Sequence, residues 1–316
     1  MFVFSPKLPL ARSARLGASL PLPLARFSAA CTWACFYALD IMQLRSTLQP
    51  TIRKALQLGG IKSHLVGVAG AIAFGRYIVD FSFFLTRSGE AIRHRVQRRT
   101  SLRGTDHLVQ ALQGGKGAIL VSSNFACFYY ALATSHAGML PEGVEVVIVQ
   151  PQYSVDHPEA RRFKEKLSGV MGRELRIIES GTLRAGIEMT AALKRGCVVA
   201  CLVDFFPPKV SSFAITQFLN QPSCQPTGLA AIAVKNAVAV VPCFTFFEKG
   251  RFVTEFMPAL APGANENKAE QVLSLCTRID AALSEVIMRR PAEWAGWLSV
   301  PLKWHTAAAL LDGAEA

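Results

Sequence analysis

The sequence predicts an α/β protein in which helices flank a central, mostly parallel sheet. First, strand-length apolar runs alternate with segments of helical length along most of the chain. Second, residues 118–122 and 197–203 are apolar almost throughout, which is typical of strands buried on both faces. Third, 316 residues, of which 51% are hydrophobic, are enough to bury a large core.

The elements follow one another as this class requires. Helices are predicted at residues 45–58, 63–86, 105–112, 125–133, 159–170, 183–194, 228–235 and 268–290. Strands are predicted at residues 118–122, 144–150, 175–179, 197–203, 237–247 and 251–256, the last two forming a hairpin. Residues 87–103 carry six arginines and are predicted to be a solvated or lipid-facing strip, and the stretch with Pro207, Pro208 and Pro222 is predicted to be a loop.

The beginning of the chain has the composition of a membrane-associating segment. Residues 1–16 contain basic residues and no acid, and residues 17–42 are mostly apolar. Arg26 divides the apolar part, and residues 27–42 are short of the roughly 20 residues needed to cross a bilayer. We therefore expect residues 1–44 to include a helix inserted at the cytoplasmic face of the inner membrane, with a buried amphipathic helix as the alternative. Residues 45–304 form the α/β domain, and residues 305–316 are predicted to be a loose tail.

Charge and cysteine content indicate which partners and metal ligands to expect. The net charge is +12, which favours an anionic partner. Because basic runs interleaved with aromatic residues are lacking, an anionic membrane surface is favoured and nucleic acid is not expected. Most of the eight cysteines lie in apolar runs, and the two C-x3-C pairs have no companion His/Cys pair, so we expect no metal site.

The stretch GKGAILVSSNFACFYYA, residues 115–131, is the first place to look for a site. Its pattern predicts a turn, a buried strand and the start of a helix, and Asn124 lies just past the strand. Ligands of open α/β sheets bind at the carboxyl ends of strands. Asn124 is therefore the first candidate site residue.

This stretch and the preceding GTDHLVQALQGG resemble the first motif of the bacterial lipid A secondary acyltransferases, the lauroyl and myristoyl transferases of the lysophospholipid acyltransferase superfamily. That family has G-x-G, an apolar strand and then His-x4-Glu/Asp. The histidine position falls on Asn124 and the carboxylate position on Tyr129, so both catalytic positions are substituted in this chain.

Later segments, up to about residue 304, continue the resemblance. ESGTLRAGIEMTAALKRGCVVACLVDFF resembles the family's helix, turn, strand and terminal aspartate; it contains Arg184 and Asp204. Pro226-Thr227-Gly228 resembles a Thr-Gly step before a helix. The closing RRPAEWAGWLSVPLKW resembles the family's Pro-x-x-Trp-x-Trp end, without the His/Arg pair that usually stands there.

The resemblance implies roles for these positions, and each has a structural alternative. Asn124 is not basic; it orients an acceptor, donates to an oxyanion or simply caps the next helix. Tyr129 can hydrogen-bond to Asn124 but supplies no charge at neutral pH. Arg184 binds a phosphate of donor or acceptor, or is a surface cation. Asp204 organises the site by pairing with an arginine, or caps a helix or turn, and Thr227 caps its helix.

By this resemblance, the protein transfers a fatty acyl chain from acyl carrier protein or CoA to a lipid or lipid-like acceptor at the inner membrane, without a cofactor. Such transfer requires the acceptor to lose a proton, which histidine accepts well. Because both positions of the dyad are substituted, the transfer would require either an unusual base or an acceptor that needs less help, such as an amine. A non-catalytic lipid- or acyl-carrier-binding pseudoenzyme is the alternative, and a hydrolase using Ser or Cys is a third.

Overall fold

The computed structural model describes residues 20–125, 144–151, 158–172, 174–204, 212–263 and 267–314. The described helices are α1 (Leu22–Ala38), α2 (Leu44–Leu56), α3 (Gly60–Thr86), α4 (Gly89–Arg99), α5 (Thr105–Leu112), α6 (Pro158–Met171), α7 (Leu183–Lys194), α8 (Gly228–Asn236), α9 (Lys268–Arg289) and α10 (Val300–Ala314). Short 3-10 helices lie at Ile41–Gln43, Pro291–Glu293 and Ala295–Leu298. The described strands are β1 (Thr100–Arg103), β2 (Ala118–Ser122), β3 (Val146–Pro151), β4 (Arg176–Ser180), β5 (Val198–Leu202), β6 (Phe213–Phe218), β7 (Gln221–Pro226), β8 (Val240–Glu248) and β9 (Arg251–Phe256).

Seven strands form the central sheet, in the order β1-β9-β8-β2-β5-β3-β4. Strands β8, β2, β5, β3 and β4 are mutually parallel, whereas β9 returns antiparallel to β8 and pairs in parallel with β1. The predicted mostly parallel sheet is confirmed, and so is the hairpin at residues 249–250. The parallel arrangement brings the carboxyl ends of β2 and β5 together.

The side chains of β2 alternate between two apolar cores. Ile119 and Val121 join a core formed with α1–α3 and α7–α10, while Ala118 and Leu120 join a core formed with α4–α6 and the end of α3. All four residues are buried. Because both faces are covered, β2 has to be apolar at successive positions, as its sequence is.

Gly117 lies where β2 approaches the turn before β5, and a methyl group there should be strongly destabilising. A Cβ on Gly117 would overlap the backbone oxygen of Cys197, whereas a Cβ on Gly186 within α7 meets nothing within 4 Å. We expect Gly117→Ala to lower the free energy of unfolding by about 3 kcal/mol. Gly186→Ala should raise it by about 0.5–1 kcal/mol, because alanine is the better helix former. Denaturant unfolding measures both; equal effects of the two changes would contradict this close approach.

Helices α1 and α3 pack closely and are joined by a buried ion pair. A Cβ on Gly75 would lie 2.7 Å from the Ala29 carbonyl oxygen, so glycine permits the approach. Arg26 of α1 donates to both carboxylate oxygens of Asp80 at 2.7 and 2.8 Å, and Arg95 of α4 adds a bond of 2.9 Å. Burial raises the pKa of the Asp80 carboxyl, and the two guanidinium groups oppose that rise.

Among the described residues one helix, α3, is long and apolar enough to cross a membrane, a test that core helices also pass. Nearly half of its apolar window is buried inside the protein. The predicted N-terminal helix is α1, which ends at Ala38 and buries Trp33 and Tyr37 in the core.

Two local predictions differ from the structure, and a third is confirmed and extended. The arginine-rich strip is solvated as predicted, since its arginines other than Arg95 are exposed, and it also forms α4 and β1, with Ile92 and Val96 buried in the core. Part of the expected loop is the β6–β7 hairpin, whose turn residues Leu219 and Asn220 both have positive φ, the geometry of a tight hairpin turn. The expected loose tail after Trp304 is instead helical through Ala314.

Candidate functional site

The candidate site lies where β2 and β5 end side by side. Ser122 pairs with Leu202 in the last register position of these parallel strands. Ser123 and Asn124 follow β2, and Asp204 lies two residues beyond β5. The sheet therefore places a serine, an amide and a carboxylate at one point of its carboxyl edge, where α/β proteins bind ligands.

Asp204 is the centre of a buried hydrogen-bond network. It is 3% exposed. Its Oδ2 accepts from Ser123 Oγ at 2.7 Å, from the Asn124 backbone N–H at 2.8 Å and from Trp294 Nε1 at 3.0 Å. Its Oδ1 accepts from Asn124 Nδ2 at 3.0 Å. Four donors thus compensate one buried carboxylate, and they fix the orientation of the Asn124 side chain.

Trp294 closes the network from the opposite end of the sequence. Its Nε1–H also donates to Ser123 Oγ, with 2.6 Å between Nε1 and Oγ. Phe125 and Trp294 form an isolated β-bridge, and the Ala295 N–H donates to the Asn124 carbonyl oxygen at 2.9 Å. Gly296 leaves room for the indole, since a Cβ there would overlap the ring. The segment before α10 therefore holds the strand end in place.

A second buried polar group contacts Val203, the residue before Asp204. Lys303 is 1% exposed, and its Nζ lies 3.4 Å from the Val203 carbonyl oxygen and 3.3 Å from Gln225 Oε1. Asp280, also buried, accepts a hydrogen bond from Thr216. Burial raises the pKa of Asp280, and the positive charge of Lys303 acts against that rise. This cluster contacts the strand end through Val203 and so supports the position of Asp204.

The structure brings together two of the five site residues predicted from the sequence. Asn124 and Asp204 are hydrogen-bonded to each other, whereas Tyr129 lies outside the described residues. Arg184 is on the first turn of α7 with its side chain 86% exposed and forms a 2.6 Å ion pair with Glu188. Thr227 is the residue before α8, but its hydroxyl bonds to Ser212 Oγ at 2.8 Å rather than to the helix, contrary to the expected side-chain cap.

The sequence predicts that Asp204 pairs with an arginine or caps a helix or turn. Within the described ranges its partners are Ser123, Asn124 and Trp294 instead. The sequence signal for Trp294 was its position in the closing tryptophan segment. No local signal in the sequence indicated that its indole would reach a carboxylate 90 residues earlier.

The chemistry of the network is binding and orientation. The amide of Asn124 cannot accept a proton, and Asp204 is fully engaged by four donors. Ser123 donates to Asp204, and no histidine of the described part of the chain hydrogen-bonds to it, so the acid–base–nucleophile arrangement of a hydrolase is not present there. Burial raises the pKa of the Cys201 thiol to about 12, which makes this residue an inert hydrophobe.

The described side chains form no metal site. Within the described ranges, no group of three or more His, Cys, Asp or Glu is placed to hold a metal ion.

Residues 175–303 match the sequence model of the family described as bacterial lipid A biosynthesis acyltransferase. The matched segment contains Arg184, Asp204 and Thr227 and ends before the last turns of α10, while Asn124 and Tyr129 precede it. No curated protein matches the chain.

Proposed function

We propose that this protein transfers a fatty acyl chain from an acyl thioester, carried by acyl carrier protein or CoA, to a lipid or lipid-like acceptor at the inner membrane. The observation that carries the proposal is the Asn124–Asp204 pair at the adjoining ends of β2 and β5, the second member of which lies in the family-matched segment. An edge of parallel strands suits a site at which a thioester and an acceptor meet.

In the proposed reaction the acceptor oxygen or nitrogen attacks the thioester carbonyl carbon. The C–S bond breaks, the thiolate leaves, and the proton of the acceptor passes to the thiolate or to solvent. Asn124 takes no proton; it orients the acceptor or donates an N–H to the developing oxyanion. Asp204 fixes that amide, because it accepts from both the side chain and the backbone of Asn124. An amine acceptor fits such a site best, since it requires the least help from a base.

The site is tested by thiol release from a myristoyl thioester in the presence of membrane lipid extract. We expect the wild type to release thiol and Asn124→Ala to be slower by at least about tenfold, as for loss of a transition-state donor. Asn236→Ala is the matched control, because Asn236 is likewise half-buried and donates its amide to the protein, to the Ile232 carbonyl oxygen at 2.8 Å. A silent wild type in assays with both carrier-protein and CoA thioesters would contradict the proposal.

A non-catalytic protein that binds lipid or acyl carrier is the second candidate. Asn124 itself favours a binding function, because the lipid A acyltransferase family has its basic histidine at this position and an amide is not basic. The double change Asn124→His, Tyr129→Glu restores the dyad. If the wild type is silent and the double variant releases thiol, the site binds both substrates and the natural protein acts by binding alone.

Membrane association is proposed to use the outward face of α1 and the nearby start of α3. Exposed apolar side chains on this face include Leu24, Phe27, Leu39, Ile61 and Leu65. Tyr37 lies against α3 near His64, so the end of α1 and the start of α3 are neighbours. Several exposed large apolar side chains on two neighbouring helices are typical of a partner or membrane contact.

Charging this face should release the protein from membranes. Phe27 and Leu39 are 69% and 72% exposed, and we expect Phe27→Glu, Leu39→Glu to lower binding to anionic vesicles by roughly tenfold or more, because two apolar anchors are lost and negative charge is added. Ile187→Glu on α7, where Ile187 is 70% exposed, is the control. Vesicle flotation measures the bound fraction; equal binding of the double variant and the wild type would refute this orientation.

A further inference from the structure

Helices α4 and α6 carry a large excess of positive charge. Residues 87–99 and 158–171 together contain nine basic and three acidic residues. Arg95 is turned inward to Asp80, and the others define the α4–α6 basic surface: Arg87, Arg93, Arg98, Arg99, Arg161, Arg162, Lys164 and Lys166. Two short segments thus supply a substantial part of the positive charge of the chain.

The two helices are joined into one surface. Arg93 donates to the Gly169 carbonyl oxygen at 2.9 Å, and Lys166 donates to the Arg87 carbonyl oxygen at 2.9 Å. The beginning of α4 therefore lies beside the end of α6. The N–H of Leu175, just before β4, donates to Ser168 Oγ, so the end of α6 lies near the amino edge of the sheet. The first turns of α6, with Arg161 and Arg162, are therefore directed toward the carboxyl edge, and Arg98 and Arg99 end α4.

This arginine-rich end of the surface lies at the same edge of the sheet as the candidate site. Strand β1 begins directly after Arg99, and Thr100 pairs with Phe252 at the start of β9. Strand β8 is parallel to β2, so both strands end at the same edge of the sheet. Strand β9 begins after the turn that follows β8 and therefore starts at that edge, as β1 does. Arg251 in the turn donates to the Arg98 carbonyl oxygen at 3.2 Å, which ties α4 to this edge.

The α4–α6 basic surface differs in composition from the apolar face proposed for membrane binding. The described residues of α4 and α6 include no exposed large hydrophobic side chain, because Ile92, Val96, Phe163 and Leu167 all point into the core. The exposed apolar side chains near the N-terminus lie on α1 and α3 instead. A surface of exposed guanidinium and ammonium groups without apolar anchors fits an acidic protein better than a bilayer.

We propose that the α4–α6 basic surface docks an acidic carrier protein and presents its acyl thioester to the site at the ends of β2 and β5. The choice of partner rests on the proposed function, because the thioester needs a carrier. Charge complementarity supplies the recognition and accelerates encounter, and the arginine-rich end aims the carrier toward Asn124.

Binding, rather than turnover, tests this surface. The probe is purified acyl carrier protein, unloaded or myristoylated, with a fluorescent label, and the readout is anisotropy at two salt concentrations. We expect Arg98→Glu, Arg99→Glu and Arg161→Glu, Arg162→Glu each to raise the Kd by roughly tenfold at low salt and by less at high salt. Neutralising Arg98→Gln, Arg99→Gln should have a smaller effect of the same sign. Lys235→Glu, Lys268→Glu on α8 and α9, which pack on the opposite face of the sheet, is the control with the same change in charge.

The outcomes separate docking from catalysis. Unloaded carrier that binds this surface in a protein without thiol release would support the docking surface and contradict the transfer activity. If the control variant weakens carrier binding as much as the α4–α6 variants do, net charge alone acts and the docking surface is overturned. If the α4–α6 variants lose binding to anionic vesicles but not to the carrier, the surface is a membrane contact and the proposal is likewise overturned.

Discussion

Replacing Asp204 by alanine is expected to lower the free energy of unfolding by about 3–5 kcal/mol. The change removes the acceptor for four buried donors, which belong to Ser123, Asn124 and Trp294. Each donor left unpaired away from water costs more than the hydrogen bond contributed. Asn124 also loses the contact that fixes its side chain, so thiol release should fall together with stability.

Asp204→Asn and Ser123→Ala separate the causes. The amide introduced by Asp204→Asn would retain one acceptor oxygen but turn an N–H₂ group toward donors, so we expect an intermediate loss. Ser123→Ala removes one donor and leaves three, with an expected loss of about 1 kcal/mol. Denaturant unfolding measures all three variants. A loss below about 1 kcal/mol for Asp204→Ala would show that the network is not formed as described.

Replacing Trp294 by alanine is the second change with a large expected effect, again about 3–5 kcal/mol. The indole is 2% exposed, and its ring centroid lies 5.9 Å from that of Phe218 and 4.9 Å from that of Trp297. Removal of the ring leaves a cavity and also takes a donor away from Ser123 and Asp204. The segment that bridges to Phe125 should loosen with it.

Trp294→Phe distinguishes packing from hydrogen bonding. Phenylalanine retains most of the ring but has no N–H, so we expect a loss of about 1–2 kcal/mol in stability and a proportionally larger loss of thiol release. If Phe and Ala cost the same stability, the N–H rather than the ring carries the effect; if Phe costs nothing, the bonds to Ser123 and Asp204 are dispensable.

The sheet could be predicted because its strands have local signatures. The apolar runs of β2 and β5 have few alternatives, and β9 was placed at its observed bounds because Lys249 and Gly250 mark a turn. Strands β1, β6 and β7 lack such signatures: β1 is short and basic, and β7 contains two prolines. The pairing of these strands depends on partners that are distant in sequence or on the turn of the β6–β7 hairpin. Leucine rarely adopts positive φ, so Leu219 gave no indication of that turn.

The site could be predicted only in part, for the same physical reason. Asn124 and Asp204 were indicated because each follows an apolar strand, and parallel pairing brings such positions together. The contributions of Trp294 and Lys303 depend on how the end of the chain folds back over that edge. The pattern of apolar and polar residues in the sequence does not predict this long-range packing. Arg184 has the residue type of a phosphate ligand, but its exposed ion pair with Glu188 depends on where α7 packs.

Mass spectrometry of the lipid product shows whether an acyl chain reaches a lipid acceptor. Membrane lipid extract is incubated with a myristoyl thioester and the wild type, Asn124→Ala or Asn236→Ala. We predict a lipid heavier by one myristoyl group with the wild type and with Asn236→Ala, and at least about tenfold less of it with Asn124→Ala. Consumption of the thioester with free fatty acid as the only product, or no acylated lipid from any variant, would contradict acyl transfer to a lipid.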